Sequence, residues 1–175
     1  MSVHKLKNTY TKNKVTGFTI IEMVIALLIG SILLAWGIPN YRDLKVRKQV
    51  SETANETAYS LSLARAEAIR YGTGVKVQKS GTNWNEGWSL FTLDALGAND
   101  QEIYVQDAFD TTLKFTQSGD FTGDIVFNNL GAVSNGMTTQ FLIENDTSIN
   151  NTRPISDSSK IVRVSPSGSS RVQKP

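Results

Sequence analysis

One stretch limits what this chain can fold into more than any other. From Phe18 to Ile38 it reads FTIIEMVIALLIGSILLAWGI, and a helix needs about twenty such residues to cross a bilayer. The run is apolar all round and lacks the polar stripe of an amphipathic helix, so a membrane segment fits it better than a helix buried in a soluble core. Trp36 and Tyr41, near its downstream end, suit the headgroup boundary. Glu22 conflicts with this setting, being the only charge in the run. A carboxylate near the bilayer centre costs about 2.5–3.5 kcal/mol on insertion scales and marks a functional contact.

A secretory signal peptide is the competing reading, because a basic start precedes the run. The apolar stretch is too long for such a signal, and WGIPNYRD follows it in place of a small-x-small cleavage pattern. Cleavage, where it occurs, is expected before the apolar run. Lys5, Lys7, Lys12 and Lys14 flank one side of it, and Arg42, Lys45, Arg47 and Lys48 the other. The positive-inside count is nearly balanced, so charge alone leaves the orientation open.

With 175 residues, 39% of them apolar and 19% charged, the chain suits one modest domain with an appendage. It has no cysteine, which removes disulfides and thiolate metal sites. Its single histidine, His4, precedes the apolar run, so His-based acid/base chemistry and His-rich metal sites are not expected in the folded part. Phosphate-loop, nucleophile-elbow and dinucleotide fingerprints are absent. Asp94, Asp100, Glu102, Asp107 and Asp110 cluster loosely but lack ligand spacing, and read as a solvated acidic face. Trp84 and Trp88 read as core anchors beside a turn. No enzyme activity, catalytic residue, metal or cofactor is therefore expected.

Gly37 and Pro39 interrupt the helix downstream. Proline cannot donate to the carbonyl of Ala35, which predicts a kink or a locally melted turn. The alternative is a plain helix end at the membrane surface. Helical spacing resumes from Tyr41 to Arg70, with Leu44, Val50, Ala54, Ala58, Leu61, Ala64 and Ala68 on one stripe, until YGTG at Tyr71 to Gly74 stops it. The stripe is narrow and made mostly of small residues, as suits a helix laid closely on a sheet. At about 1.5 Å per residue, Phe18 to Arg70 would form a rod of roughly 80 Å. Strands are predicted at Val75–Gln78, Trp88–Leu93, Ile103–Val105, Leu113–Thr116, Asp124–Phe127, Gln140–Ile143 and Lys160–Val164. Segments rich in Gly, Asn, Asp and Ser separate them, and no helix intervenes, so an antiparallel α+β head is expected.

The stretch KVTGFTIIEMVIALL carries a resemblance. A basic leader ends in glycine, an aromatic residue follows, and a glutamate stands four residues later in an apolar helix. This resembles the class III signal of type IV pilins and type II secretion pseudopilins. GWSLFTLD, DIVFNNLGAV and KIVRVSPSGSSR are similar to the heads of minor subunits of the FimU, FimT and GspH types, FimU most of all. The lack of cysteines sets the chain apart from major pilins with a disulfide-closed loop.

The resemblance implies a type IV pilin fold divided into a cleaved leader (1–17), a transmembrane and assembly helix (18–40), an amphipathic half-helix packed on the head (41–74) and a β-rich periplasmic head (75–175). It implies that a prepilin peptidase cuts after Gly17 on the cytoplasmic side and N-methylates Phe18. Cleavage would give Phe18 a cationic amine, and Phe18 and Glu22 are spaced i,i+4 on a helix. The acid can then neutralise its own amine or meet that of a neighbouring subunit; the family favours the second, for assembly. Pilins often carry a proline where Pro39 stands. Such a subunit sits in the bacterial inner membrane as a single pass, then in an extracellular pilus with other minor pilins and the major pilin. A tip or initiation complex that primes assembly is the implied role, with twitching motility, adhesion and DNA uptake following for the cell. A GspH-type pseudopilin of a secretion system uses the same parts.

The third possibility is a FimT-like competence pilin that binds DNA through a C-terminal Gly-Arg-x-Arg motif. Taking the leader's four lysines from the 18 bases leaves 14 against 16 acids, a net of −2, which disfavours nucleic acid. Locally, Arg153, Lys160, Arg163, Arg171 and Lys174 face only Asp157, a net of +4. The matching motif reads Gly168-Ser169-Ser170-Arg171, without its first arginine. Arg163, Arg171 and Lys174 are the candidate DNA contacts, and a solvated, partly frayed terminus is the favoured reading of them.

Overall fold

The structure, a computed structural model, describes residues 17–146 and 158–175. Helix α1 spans Ile20–Tyr71. Eight strands follow it among the described residues: β1 Val75–Lys79, β2 Trp88–Leu93, β3 Asn99–Gln106, β4 Leu113–Gly119, β5 Ile125–Phe127, β6 Thr139–Asn145, β7 Lys160–Val164 and β8 Ser170–Gln173. A 3₁₀ turn, Trp84–Glu86, precedes β2. The chain divides into two compact units, Met1–Asn40 and Tyr41–Pro175.

In the first unit the helix is unbroken through Gly37 and Pro39, so of the expected kink, melted turn or helix end the last two do not form. The side-chain amide of Asn40 donates to the Trp36 carbonyl at 3.0 Å, a side-chain hydrogen bond in the turn where proline removes a backbone donor.

In the second unit two four-stranded antiparallel sheets, ordered β3-β2-β1-β5 and β4-β6-β7-β8, share one core with the helix. Alternation sets their inner faces. Val75 and Val77 of β1 point inward opposite Phe127 and Ile125 of β5, and Phe141 of β6 faces Val162 of β7. The helix buries Val50, Ala54, Leu61, Ala64 and Ala68 against them. Leu44, expected on this stripe, is 64% exposed, because cover begins near Val46 and is complete only at Val50.

The same face also buries Thr53, Thr57 and Ser60, which hydropathy alone would put outside. Thr57 and Ser60 are satisfied locally and across the core. Thr57 Oγ1 donates to the Thr53 carbonyl at 2.8 Å, and Ser60 Oγ accepts the Trp88 indole N–H at 3.2 Å. Trp84 and Trp88 are core residues, as expected, within an aromatic cluster that includes Phe109, Phe115 and Phe141. Trp84 hands its indole N–H to Gln117 Oε1 at 3.0 Å.

Gly72 ends the helix in the left-handed conformation (φ +69°), its N–H returning to the Ala68 carbonyl at 3.1 Å. Strands β2 and β7 have the predicted bounds, and the others differ by a few residues. β3 begins at Asn99, not Ile103, since its polar first half pairs with β2 in an irregular register. β8 was not predicted at all. It covers the supposedly frayed tail, and it pairs with β7 while Val172 packs on the core.

Trp88→Ala should destabilise the protein by about 3–5 kcal/mol, the usual cost of emptying a large aromatic site. Urea unfolding followed by tryptophan fluorescence and circular dichroism measures it, and a loss below about 1 kcal/mol would contradict the central place given to this side chain.

Candidate assembly site

The helix starts at Ile20, so Phe18 and Thr19 precede it. Phe18 and Glu22, expected on one helix face, are thus not both within the helix. Thr19 caps the first turn: its hydroxyl oxygen accepts the Glu22 N–H at 3.3 Å and its carbonyl accepts the Met23 N–H at 3.2 Å. Thr19-x-x-Glu22 has the spacing of a capping box, with Glu22 as the third helical residue, where the helix dipole favours an acid. Sequence reasoning passed over this local role, although the Thr-x-x-Glu pattern was there to find.

Phe18 is 83% exposed, and Ile20, Leu27 and Trp36 are 87%, 71% and 81% exposed. No part of the most apolar 18-residue window, of mean hydropathy 2.3, is buried within the chain. By length and composition this helix can cross a membrane. Ser31, the one hydroxyl between Ile20 and Ile38, donates back to the Leu28 carbonyl at 2.7 Å and so needs no outside partner.

On the head, Arg163 of β7 and Arg171 of β8 stand directly opposite each other. With Ser165, Ser169 and Gln173 they line a shallow recess of about 240 Å³. Lys174 follows the end of β8. The Gly168 turn before β8 has φ +80°, and a Cβ there would strike the Gly131 carbonyl oxygen, so the turn requires glycine.

The sequence-adjacent carboxylates do turn chemistry. Asp94 Oδ1 accepts the N–H groups of Leu96 and Ala98 at 2.9 and 2.8 Å. Asp110 accepts the Thr112 N–H and the Gln49 side-chain amide, and the Thr112 bonds hold its carboxyl below the usual range. Asp100 and Glu102 stand exposed on β3, the free edge of its sheet.

A model of the family "Type II transport protein GspH" matches residues 53–168, and one of the prokaryotic N-terminal methylation motif matches residues 12–38. Two fimbrial proteins of Pseudomonas aeruginosa are 33% identical over 100 residues, 56% of this chain. The match spans 64% of those relatives' length. Among solved structures, the type IV minor pilin FimU of P. aeruginosa strain PAO1 superposes with a TM-score of 0.58 at 21% identity, over 74% of this chain and 90% of that one. The minor pseudopilin EpsH of the Vibrio cholerae type 2 secretion system gives 0.52 at 15% identity, over 73% and 98%. Both likenesses are of fold.

The opposed arginines make a stability prediction. Like charges directly across a strand pair are destabilising, so Arg171→Glu should raise the urea midpoint, with a gain of about 0.2–1 kcal/mol that shrinks in high salt. An unchanged or lowered midpoint at low salt would mean the two side chains do not repel.

Proposed function

Because the chain belongs to the GspH family, we propose that it is a minor type IV pilin that enters a tip or initiation complex and primes polymerisation of a major subunit. It is a structural subunit, not an enzyme. One observation carries the reading: the methylation-motif match spans the Gly17-Phe18 junction, and an exposed apolar helix with Glu22 in its first turn begins just beyond it.

On this reading a prepilin peptidase cuts after Gly17 and methylates Phe18. The helix is a bilayer anchor while the subunit waits, with the head in the periplasm, and part of a helical bundle once it joins the extracellular pilus. Burial of the exposed side chains supplies the driving force in both states. Glu22, desolvated in the bundle, is matched by the new cationic amine of a neighbouring Phe18. Pro39 weakens one hydrogen bond of the helix at the boundary between the two units and gives the assembling helix a place to adjust. Twitching motility, adhesion and DNA uptake are what such a pilus would support.

The family model's own description favours a second reading, a pseudopilin of a type II secretion system. Deleting the subunit separates the two. Loss of surface fibres with secretion intact supports the pilin, and the converse supports the pseudopilin. The placement of Arg163 and Arg171 in one recess bears on the DNA-contact reading. Full-length protein in detergent, titrated with duplex DNA at two salt concentrations, tests it. Binding that ignores salt, or survives Arg163→Ala with Arg171→Ala, counts against it.

Processing is checked by mass spectrometry of membrane-extracted protein, which should begin at N-methylated Phe18; a chain keeping Met1 would refute the assignment. Glu22→Ala should leave the membrane level unchanged and cut incorporation into sheared fibres about tenfold or more, the equivalent of losing a contact of about 1.4 kcal/mol. Wild-type incorporation would make the acid dispensable.

A further inference from the structure

Two turns of the head are built alike. Asp94-Ala95-Leu96-Gly97-Ala98 and Asn128-Asn129-Leu130-Gly131-Ala132 share one pattern, an acid or its amide, any residue, then Leu-Gly-Ala. In the first, Asp94 Oδ1 accepts the N–H groups of Leu96 and Ala98, the Asp94 N–H donates to the Ala98 carbonyl at 3.0 Å, and the Gly97 N–H donates to the Asp94 carbonyl at 3.0 Å. In the second, Asn128 Oδ1 accepts the N–H groups of Leu130 and Ala132 at 3.0 Å each, and at 2.8 Å each the Asn128 N–H donates to the Ala132 carbonyl and the Gly131 N–H to the Asn128 carbonyl. Gly97 and Gly131 have φ of +80° and +77°, which other residues rarely adopt, so each turn is fixed by its own sequence. Each holds up a leucine: Leu96 is 92% and Leu130 78% exposed.

The turns also leave the sheet together. Strands β2 and β5 flank β1 and both run antiparallel to it, so Thr92 and Phe127 both pair with Val75, the first residue of β1. Both turns therefore emerge at the end of the head where α1 stops, from strands roughly 10 Å apart. A Cβ on Gly131 would come within 2.7 Å of Ile69 Cδ1, which places half-exposed Ile69 of the helix beside Leu130. A single exposed leucine needs no explanation. Two on matching rigid turns at one end, with little ordering to lose on contact, have the make-up of a docking point. On its β3 side this end is acidic: Asp100 and Glu102, just after the Leu96 turn, are exposed and enter neither of the ion pairs found among the described residues.

The matching surface is on the same chain. From Tyr41 to Lys48, α1 reads YRDLKVRK, four bases and one acid. The head leaves it uncovered: Tyr41 is 71% and Leu44 64% exposed, and Arg42, Lys45 and Arg47 are exposed beside them. An apolar pair in a basic surround complements an apolar pair beside acids. A helix is about 10–12 Å wide with its side chains, so both leucines can touch one. Leu44 to Tyr71 is about 40 Å of helix, so the two surfaces of one chain do not meet, and a parallel second copy shifted by that length brings them together. We propose that Leu96 and Leu130 dock on Tyr41–Lys48 of a second copy of this chain, with Asp100 and Glu102 facing its Lys45 and Arg47. Such a contact is heterologous, so it repeats from copy to copy without closing on itself. It goes beyond the pilin reading and does not rest on it, since a pseudopilin with the same head would make it too.

The test uses two full-length copies with different affinity tags, co-expressed in the membrane, one of them with a photoreactive amino acid in place of Leu96 or of Leu130. Irradiation should join the two tags from either position, and mass spectrometry should place the joint within Tyr41–Lys48 of the second copy. Lys45→Glu with Arg47→Glu in the second copy should lower the adduct about tenfold at an unchanged membrane level. Asp100→Lys with Glu102→Lys in the probe-bearing copy should then restore it. A joint elsewhere in the second copy, an adduct only with lipid or with another protein, or a yield indifferent to these reversals overturns the docking. So does the lack of any adduct between copies present at equal membrane levels. Each of those results leaves the cut after Gly17 and the pilin reading standing.

Discussion

The head depends on how closely α1 lies against its two sheets. Ala54, Ala64 and Ala68 present no bulk beyond Cβ and are fully buried, so side chains of the two sheets can pack up against the helix there. That proximity lets the Trp88 indole reach Ser60, and lets the Ser170 hydroxyl reach the Ala58 carbonyl at 3.1 Å. A larger residue at any of these positions would push a sheet away, and overpacked cores lose about 1–3 kcal/mol. The tight glycine turns at Gly131 and Gly168 follow from the same constraint, since the loops they form must fit between strand ends and the helix.

Much of this was legible in the sequence because the signals were periodic. The alanine stripe from Ala54 to Ala68, the strand at Trp88–Leu93 and the glycine that stops the helix each follow from spacing and side-chain size. The failures share a cause as well: tertiary pairing overrode a local signal. Thr53, Thr57 and Ser60 carry no hydropathy signal for the core, yet the Thr57 and Ser60 hydroxyls find partners at helical spacing or in an indole, which makes burial tolerable. Ser170–Gln173 read as a loose tail because its serines and charges favour turns, and only the neighbouring β7 edge makes it a strand. Gly37 and Pro39 read as a kink, a melted turn or a helix end, and of these the structure removes the last two, since the helix runs on through both residues.

The positive charges of the head divide into two kinds. Arg70 is paired with Glu67 and lies over the Tyr71 ring, 4.1 Å from its centroid. Arg65, Arg163 and Arg171 enter no ion pair among the described residues, and the last two face each other. A monomer could relieve these costs with single exchanges to neutral residues. Such costs are easier to account for in a subunit whose charges are answered by something outside the chain, as in a fibre.

Glu22 brings the two halves of the molecule under one argument. In the bilayer an acid is tolerated best near a helix end, and the structure puts Glu22 in the first turn, where Thr19 caps its backbone N–H and its carboxylate lies at the positive end of the helix dipole. Its presence there needs no second subunit. What the cap does not explain is why the acid is embedded in a helix whose every large apolar neighbour is uncovered by the chain. Packing those neighbours against other helices removes water from the carboxylate, and a buried carboxylate requires a cation. Under the proposed processing the nearest new cation is the amine of Phe18, created by the cut after Gly17. On that proposal the carboxylate sits at the positive end of its own helix dipole before the cut, and the amine of a neighbouring Phe18 supplies the opposite charge afterwards.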